Sequence, residues 1–450
     1  MIDAIRNAAA EARWAARVVA SGPGELGIRI RRVRARASAL LLLKLAARWR
    51  RVLGGLDAVA VTGSCGKTTA KALTAAVVAA RGPVTASVGN LSSPVHTARV
   101  ILRCRPRTRS CVVELAVWRP GCLDRSLSLL RPRVSLVTAL GNDHASRFRG
   151  GSVAAEKAKV VAALPPDGVV VLNADDPDVL AMAALCRGRV LTFGRAAGAD
   201  LRATDVRADW PERLSFTAVH AAETIRVHTR LPGEQLLPSV LGALGVGLAL
   251  GVSLGDAARR VAAVEPRRGR MQPVVADGVT FIRDDWKAPA WSVPAALDFL
   301  ARARARRRIA VLGTISDTSS KASRSYPRLA RLAAGAADRV VFVGPNARLA
   351  LRARDAARPD AIEAFATVRE AADHLARILE SGDLVLVKGS NPADHLERLV
   401  LARQGHVACW RSRCGRNSFC SRCELLGVPA GPESAGPERV AGPEPGEAPR

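Results

Sequence analysis

A strand, a glycine-bearing loop and a helix follow one another directly in one segment, and this order constrains the fold more than any other feature. The segment reads AVAVTGSCGKTTAKALTAAV. Its β-type run ends at Thr62, Gly63 and Gly66 lie in the loop, and Lys67 opens the helix. Glycines let backbone N–H groups approach phosphate oxygens, and the amino end of a helix adds partial positive charge. The segment therefore predicts a phosphate-binding loop.

Two side chains of this loop have predicted roles in ligand binding. Lys67 is expected on the outer phosphates of a nucleotide, and the hydroxyl of Thr68 is expected to reach Mg²⁺. The alternative is a strand-to-helix turn that binds nothing, and the direct passage from strand to helix argues against it. The predicted nucleotide-binding residues of the loop are Thr62, Gly63, Ser64, Cys65, Gly66, Lys67, Thr68 and Thr69.

Short apolar runs alternate with helical stretches along most of the chain. Their nearly continuous hydrophobicity is typical of parallel strands covered on both faces. One series comprises AVAVTG, CVVELAV, RVSLVTAL and GVVVLN, and a second comprises VTFI, IAVLG, RVVFVG and DLVLVKG. We therefore predict an α/β protein, with a doubly wound, mainly parallel sheet in a P-loop domain and a second, Rossmann-like α/β domain.

These patterns divide the chain into five predicted segments. Residues 1 to 55 form a basic region of one or two helices, broken at SGPGELG. Residues 56 to 229 form the P-loop domain, and residues 230 to 405 form the second α/β domain. Residues 406 to 425 form a cysteine-rich element. Residues 426 to 450 are too rich in Gly, Pro and Glu to form a core, which predicts a disordered tail.

Basic residues greatly outnumber acidic ones. Lys and Arg total 68 against 40 Asp and Glu, which gives a net charge of +28. Nucleic acid, anionic membranes and polyphosphates are the partners that such a charge attracts, although compositional drift towards arginine explains it equally well. Residues 28 to 51 are basic with a leucine run, and either lie on an anionic membrane or pack on their own domain. Neither a signal peptide nor a membrane-spanning run is recognised, so a cytoplasmic location is expected.

Four of the nine cysteines lie close together near the carboxyl terminus. Four thiolates at such spacing can bind one tetrahedral Zn²⁺, whereas disulfides or unpaired thiols are the alternatives. The scattered positions of the other five favour a reducing cytoplasm. Interleaved arginines and aromatic residues also suit a nucleic-acid-binding knuckle, which is possible but not favoured. The predicted structural zinc ligands are Cys409, Cys414, Cys420 and Cys423.

The loop T-G-S-C-G-K-T-T, with Val61 where the standard motif has its first glycine, resembles the ATP loop of the Mur ligase family. Markers in the family's order cover residues 56 to 400, and the pattern is most similar to the D-alanyl-D-alanine-adding branch. The resemblance implies an ATP- and Mg²⁺-dependent, ADP-forming ligase. Such an enzyme activates a small-molecule carboxylate as an acyl phosphate and joins it to the amine of an amino acid or peptide.

The resemblance also implies metal- and nucleotide-binding residues. CVVELAVWRPG resembles the strand whose glutamate, here Glu114, binds Mg²⁺. SLVTALGNDHASRF resembles the segment whose histidine, here His144, binds a second metal ion. GVVVLNADDPDV resembles the N-x-D-D turn near the nucleotide, which assigns Asn173 and Asp176 to nucleotide binding.

Further catalytic residues follow from the same resemblance. AAEKAKVVAALPPDG resembles the segment with a lysine that the family carbamylates to bridge two metal ions, and the spacing to Leu164 identifies Lys157 rather than Lys159. The alternative is that both are ordinary surface lysines. EPRRGRMQPV resembles the inter-domain linker and places Arg270 on the ATP phosphates. The predicted catalytic residues are Lys67, His144, Lys157 and Arg270.

The second half of the chain matches the family less closely. FIRDDWKAPAWSVPAALDFL resembles a nucleotide-side segment of the family and places Asp284 and Ser292 on its conserved positions. Gln235 and Ser239 replace residues that usually serve the adenine and phosphate side. Asn391 replaces the arginine of an acceptor-side S-R pattern. These departures affect substrate recognition more than nucleotide chemistry.

A second hypothesis remains open at this point. Only about 55 residues precede the loop, where peptidoglycan enzymes carry a uridine-nucleotide domain, so a UDP-sugar substrate is not expected. The alternative to a ligase is a non-catalytic or nucleic-acid-associated ATP-binding protein with a zinc knuckle. Substrate-dependent phosphate release distinguishes the two.

Overall fold

A nine-stranded sheet forms the first half of the molecule. The computed structural model describes residues 23–89, 91–141, 152–317, 320–405, 407–412 and 414–429. The sheet order is β2-β3-β1-β4-β5-β6-β7-β8-β9, parallel from β2 to β7 and antiparallel from β7 to β9. Its strands are β1 (Asp57–Thr62), β2 (Val84–Ala86), β3 (Ser110–Glu114), β4 (Val134–Val137), β5 (Val169–Asn173), β6 (Arg189–Gly194), β7 (Leu201–Arg207), β8 (Ser215–His220) and β9 (Glu223–His228).

A six-stranded sheet follows in the second half. Its order is β10-β11-β15-β12-β13-β14, and only the pair β10–β11 is antiparallel. Its strands are β10 (Gln272–Ala276), β11 (Val279–Asp284), β12 (Arg308–Leu312), β13 (Arg339–Val343), β14 (Ile362–Phe365) and β15 (Leu384–Lys388). All eight strands predicted from the sequence are present, and the predicted α/β class with two sheets is confirmed.

Helices connect the strands of both sheets. They are α1 (Pro23–Val52), α2 (Lys67–Val78), α3 (Pro94–Arg103), α4 (Asp124–Leu130), α5 (Val153–Ala162), α6 (Pro177–Leu180), α7 (Leu237–Ala249), α8 (Leu254–Ala262), α9 (Val293–Arg302), α10 (Ala322–Ala336), α11 (Val368–Ile378), α12 (Asn391–Asp394) and α13 (Glu397–Gln404). Alternate residues of β1 enter different cores: Val59 and Val61 face one, and Ala58 and Ala60 face the other. Because both faces of β1 are covered, all four residues from 58 to 61 are apolar.

Helix α7 packs unusually closely on the first sheet. A Cβ atom at Gly242 would lie 2.7 Å from Leu136 of β4, and one at Gly245 would lie 2.8 Å from Val171 of β5. Only glycine permits this approach of helix to sheet. Helices α7 and α8 therefore lie with the first sheet, although they come after residue 229, where the sequence pattern predicted a division between domains.

The N-terminal helix begins inside the segment SGPGELG, which was expected to break the helical region. α1 starts at Pro23 and includes the rest of that segment, whereas positions 21 and 22 lie outside the described residues. Proline is tolerated in the first turn of a helix because its missing N–H has no partner there in any case. Leu43 and Ala46 of α1 pack against Ala98 and Ile101 of α3. No helix in the described part of the chain is long and apolar enough to cross a membrane. Of the predicted tail at residues 426 to 450, the part from residue 430 onwards lies outside the described residues.

Arg50 fixes α1 to the rest of the molecule. Its buried guanidinium donates to the carbonyl oxygens of Leu130 (2.9 Å), Leu53 (2.9 Å) and Arg131 (3.3 Å). The last carbonyls of a helix have no partner within the helix, so these bonds satisfy acceptors at the ends of α1 and α4.

We predict that Arg50→Ala lowers the free energy of opening of α1 by about 2 to 4 kcal/mol, because three carbonyl groups lose their donor. Hydrogen–deuterium exchange of residues 37 to 53 measures this. Arg48→Ala and Arg51→Ala remove exposed arginines of the same helix and should change protection by less than about 0.5 kcal/mol. Unchanged protection in Arg50→Ala would contradict the assignment.

Candidate active site

The candidate site lies where the carboxyl ends of β1, β3 and β4 meet. β1 is flanked by β3 on one side and β4 on the other, so the chain changes direction across the sheet here. Open α/β sheets bind ligands at such a point. Thr62 ends β1, Glu114 ends β3, and Thr138 follows β4 directly.

The loop after β1 has the backbone that phosphate binding requires. Gly63 and Gly66 have φ values of 142° and 74°. A Cβ atom at Gly63 would lie 2.1 Å from Thr138 Oγ1, and one at Gly66 would lie 2.4 Å from Ser239 Oγ. No side chain caps the amino end of α2 and no acidic residue lies in its first turn. The loop and helix end therefore fit an anionic ligand.

Lys67 curls back over the loop. Its Nζ donates to the carbonyl oxygens of Gly63 (2.6 Å) and Ser64 (3.2 Å). The ammonium is thus held at the point where a nucleotide phosphate would approach the helix end.

Glu114 joins two side chains of α2. Thr68 Oγ1 donates to Glu114 Oε1 at 3.1 Å, and Lys71 Nζ lies 3.1 Å from Glu114 Oε2. The side chains of Lys71 and Glu114 are 3% and 2% exposed, so this is a buried ion pair. Lys71 is a site residue that sequence analysis missed. Its only signal is a second lysine one turn after Lys67, in a helix without carboxylates.

The charge of Arg270 affects the buried pair of Lys71 and Glu114. Burial lowers the pKa of Lys71, the Glu114 carboxylate opposes this shift, and the charges of Arg267 and Arg270 add to it. The predicted linker arginine therefore lies within electrostatic range of α2. Several cations and one carboxylate at this edge suit a polyanion.

Hydroxyl and carboxylate oxygens of Thr68 and Glu114 are ligands of the kind that Mg²⁺ prefers. Among the described residues, no three His, Cys, Asp or Glu side chains are arranged to hold a metal ion. Mg²⁺ commonly takes only one or two protein ligands and completes its shell with phosphate and water, so the two residues fit it. The predicted second-metal residue, His144, lies outside the described residues.

Lys157 and Lys159 have opposite environments on α5. Lys157 is fully buried, and its Nζ lies 3.1 Å from Ser64 Oγ in the phosphate loop. Lys159 is 39% exposed and pairs with Asp124 (2.7 Å) and Glu156 (2.9 Å), and hydrogen bonds to both carboxylates raise its pKa. A buried lysine costs free energy unless partners or chemistry reduce its charge.

The N-x-D-D turn after β5 supports the neighbouring loop. Asn173 Nδ2 donates to the carbonyl of Thr138 (2.9 Å), and Asp176 Oδ2 accepts from the backbone N–H of Leu140 (2.7 Å). Ser64 Oγ in turn accepts from the N–H of Gly141 (2.9 Å). These two predicted nucleotide-side residues therefore position the segment after β4 against the phosphate loop.

Residues beyond the first sheet complete the site. Ser239 Oγ donates to the carbonyl of Gly66 (3.3 Å). A Cβ at Gly141 would lie 3.3 Å from the indole ring of Trp291, so the segment after β11 reaches the segment after β4 that borders the phosphate loop. The Nε1 of Trp291 is buried and lacks a hydrogen-bond partner among the described residues. Sequence analysis missed Trp291. Asp284 lies at the end of β11 and pairs with Lys388 at 2.5 Å.

The cysteine-rich segment packs on the second sheet's side of the molecule. Its four cysteines are free thiols and line one cavity of about 20 Å³ together with His395 and Arg398. Phe419 contacts Trp286 with ring centroids 4.6 Å apart, and Asn391 Nδ2 donates to the carbonyl of Ser418 (3.1 Å). No group of three or more His, Cys, Asp or Glu side chains among the described residues, these cysteines included, is arranged to hold a metal ion, so zinc binding stays a prediction.

Comparison with known proteins agrees with this geometry. Residues 61–247 match the Mur ligase middle domain, and residues 269–391 match the Mur ligase glutamate ligase domain. UDP-N-acetylmuramoyl-tripeptide–D-alanyl-D-alanine ligase of Mycobacterium tuberculosis is 33% identical over 384 residues, which are 79% of this chain and 74% of that protein. The Escherichia coli enzyme of the same name is 28% identical over 370 residues, 81% of this chain and 80% of that protein.

A solved structure agrees as well. The UDP-N-acetylmuramoylalanyl-D-glutamyl-2,6-diaminopimelate–D-alanyl-D-alanyl ligase of Acinetobacter baumannii superimposes with a TM-score of 0.73 at 26% identity, covering 81% of this chain and 79% of that one. The phosphate loop, the glutamate at the end of β3 and both domain matches lead to one conclusion: the chain belongs to the Mur ligase family of ATP-dependent, amide-forming ligases.

Proposed function

We propose that this ligase phosphorylates a peptide carboxylate with ATP at the edge of the first sheet and joins the acyl phosphate to the amine of an amino acid or dipeptide. The observation that carries the proposal is the buried Lys157 amine, 3.1 Å from Ser64 Oγ in the phosphate loop. D-alanyl-D-alanine, named for the relatives above, is the first amine to test, and peptidoglycan precursors are the first carboxylates. A cytoplasmic location is part of this proposal.

The chain's own side chains supply most of the phosphoryl-transfer machinery. The ammonium of Lys67 releases the carbonyl oxygens of the loop and binds the outer phosphates of ATP instead. Arg270 approaches the same phosphates from the linker. Thr68 and Glu114 would hold Mg²⁺, which neutralises the charge of the transferred group when bound. Holding donor and carboxylate in line accounts for much of the rate in such reactions.

Lys157 is proposed to carry a carbamate. The ammonium group first loses one proton to solvent. The neutral amine then attacks CO₂, a nitrogen–carbon bond forms as one C=O π bond opens onto oxygen, and a second nitrogen-bound proton leaves to solvent, so that a cation becomes an anion. Such an anion beside Ser64 suits a site that must hold a carboxylate substrate among metal ions. His144 is proposed as the second metal ligand of this arrangement.

Asn173, Asp176 and Asp284 are proposed to act around the nucleotide. The first two fix the segment from Thr138 to Gly141 against Ser64. Asp284 lies in an ion pair with Lys388 and would have to exchange this partner to reach a nucleotide. The family match favours the ligase over a nucleic-acid-associated protein.

We also propose that Cys409, Cys414, Cys420 and Cys423 bind one structural Zn²⁺. All four line the same small cavity, which supports the proposal. Because they are not arranged as metal ligands in the described residues, the ion would have to draw the thiolates inwards. Four Cys ligands leave no open position, so such a metal can only stabilise the segment.

Lys67→Ala should lower ATP turnover at least about a hundredfold, because the substitution removes a charge placed on the transferring phosphate. Phosphate release with a carboxylate and amine panel measures turnover, and circular dichroism checks the fold. Lys321→Ala, which changes an exposed lysine at the start of α10, is the matched control. Wild-type turnover in folded Lys67→Ala would exclude this loop as the ATP site.

Lys157→Ala should lose about a hundredfold in activity, and added short-chain carboxylates should restore part of it by occupying the place of the carbamate. Lys159→Ala should stay within about twofold of wild type, because Lys159 is 39% exposed and pairs with Asp124 and Glu156 rather than with the phosphate loop. Ligase activity with and without acetate is the measurement. The reverse pattern of the two variants would assign the role to Lys159.

Purified protein should contain about one equivalent of zinc if the four cysteines bind it. Elemental analysis measures this, and Cys420→Ser/Cys423→Ser should release the metal while ATP still binds at the phosphate loop. Zinc-free protein with four freely alkylated cysteines would exclude the site. Cys104→Ser/Cys186→Ser is the control, since these cysteines lie outside the cluster.

A further inference from the structure

Helix α1 has two faces of different character. One face is buried: Leu43 is 7% exposed and Ala46 is fully buried, and both pack on α3. On the opposite face Leu40, Leu41 and Leu45 are 47%, 59% and 46% exposed. Three neighbouring exposed leucines on one helix face form an apolar patch of the kind that marks an interaction site.

Exposed cations accompany these leucines. Lys44, Arg48 and Arg51 lie on the same face of α1 and are exposed. The first half of the helix adds five arginines in sequence, at positions 29, 31, 32, 34 and 36. Long basic side chains can keep their charge in water while their stems cover apolar surface. The face therefore combines apolar and positively charged groups.

The region around α1 is short of acidic residues. None occurs between positions 28 and 56 or between positions 58 and 113. Arg103, Arg105 and Arg107, at the end of neighbouring α3 and after it, are exposed. Within the described residues, the ion pairs of positions 37 to 113 use only Asp57 and Glu114 as partners. By contrast, many arginines after position 190 pair with carboxylates. The positive charge is thus concentrated here rather than spread evenly by composition.

Each class of partner uses these groups differently. Nucleic acid attracts the cations but offers nothing to three exposed leucines. A surface of anionic lipid takes both, because leucines enter the boundary between headgroups and acyl chains while Lys and Arg contact lipid phosphates. Helix α1 is not apolar enough to span a bilayer, so it can only lie on one.

We propose that α1 docks this protein on an anionic membrane surface, with Leu40, Leu41 and Leu45 in the interface and the surrounding cations on lipid phosphates. Arg50 joins α1 to the end of α4, and the buried face of α1 packs on α3. Docking would therefore orient the whole first sheet relative to the membrane.

Co-sedimentation of the full chain with vesicles tests this. Wild-type protein should bind vesicles of equal parts phosphatidylglycerol and phosphatidylcholine, and should not bind pure phosphatidylcholine. Leu40→Ser/Leu41→Ser/Leu45→Ser should weaken binding at least about tenfold, because each leucine contributes buried apolar area. Because salt screens surface charge, binding should also fall as ionic strength rises.

The matched control is Leu180→Ser/Leu185→Ser/Leu332→Ser, which changes leucines that are 38%, 49% and 42% exposed elsewhere. It should bind vesicles like wild type, and both triple variants should keep their thermal unfolding profile. Absence of binding to anionic vesicles, or equal binding by the α1 triple variant, would overturn the proposal. Binding to a short duplex DNA that competes with vesicles and is insensitive to the leucine substitutions would assign the face to nucleic acid instead.

Discussion

The Glu114 carboxylate is the charge on which the arrangement of the phosphate loop depends. It is the only acidic residue between Asp57 and Asp124, and it is almost completely buried. Thr68 and Lys71 both bind it, so one carboxylate connects the end of β3 to the first two turns of α2. Removing one partner from a buried ion pair typically costs about 3 to 5 kcal/mol, because the other charge is left without compensation. The same carboxylate that binds Lys71 is the one proposed to hold Mg²⁺.

A second buried group, Lys157, lies on the other side of the loop. It contacts Ser64, which also binds the backbone of Gly141, and Gly141 in turn contacts Trp291. Two distant residues, Lys157 and Gly141, therefore meet at the Ser64 hydroxyl, and Trp291 lies beside the second of them. A ligase that must bring ATP, a carboxylate and an amine together benefits from such a junction, because each substrate can approach from a different element.

The two terminal regions differ in how they relate to this site. Helix α1 packs on α3 and presents leucines and cations outwards, away from its buried contacts. The cysteine-rich segment instead packs towards the linker: Phe419 contacts Trp286, and Arg268 donates to Ser421 Oγ at 2.5 Å. Neither region has a counterpart in the matched domains, which span residues 61–247 and 269–391.

Local sequence pattern was sufficient for the phosphate loop, the eight main strands, the α/β class and the family. The loop and each strand depend on neighbouring residues, where period and spacing carry the signal, whereas the class and the family depend on the order of such segments along residues 56 to 400. In the sequence, only the family resemblance distinguished Lys157 from Lys159. In the structure, Lys157 is buried and Lys159 is exposed because of how α5 packs on the first sheet. Lys71 and Trp291 escaped prediction because their partners, Glu114 and Gly141, are 43 and 150 positions away in the chain. Only the tertiary structure brings such residues together. Inside a protein the dielectric is low, so the stability and the role of a buried charge depend on the partner that the fold places beside it.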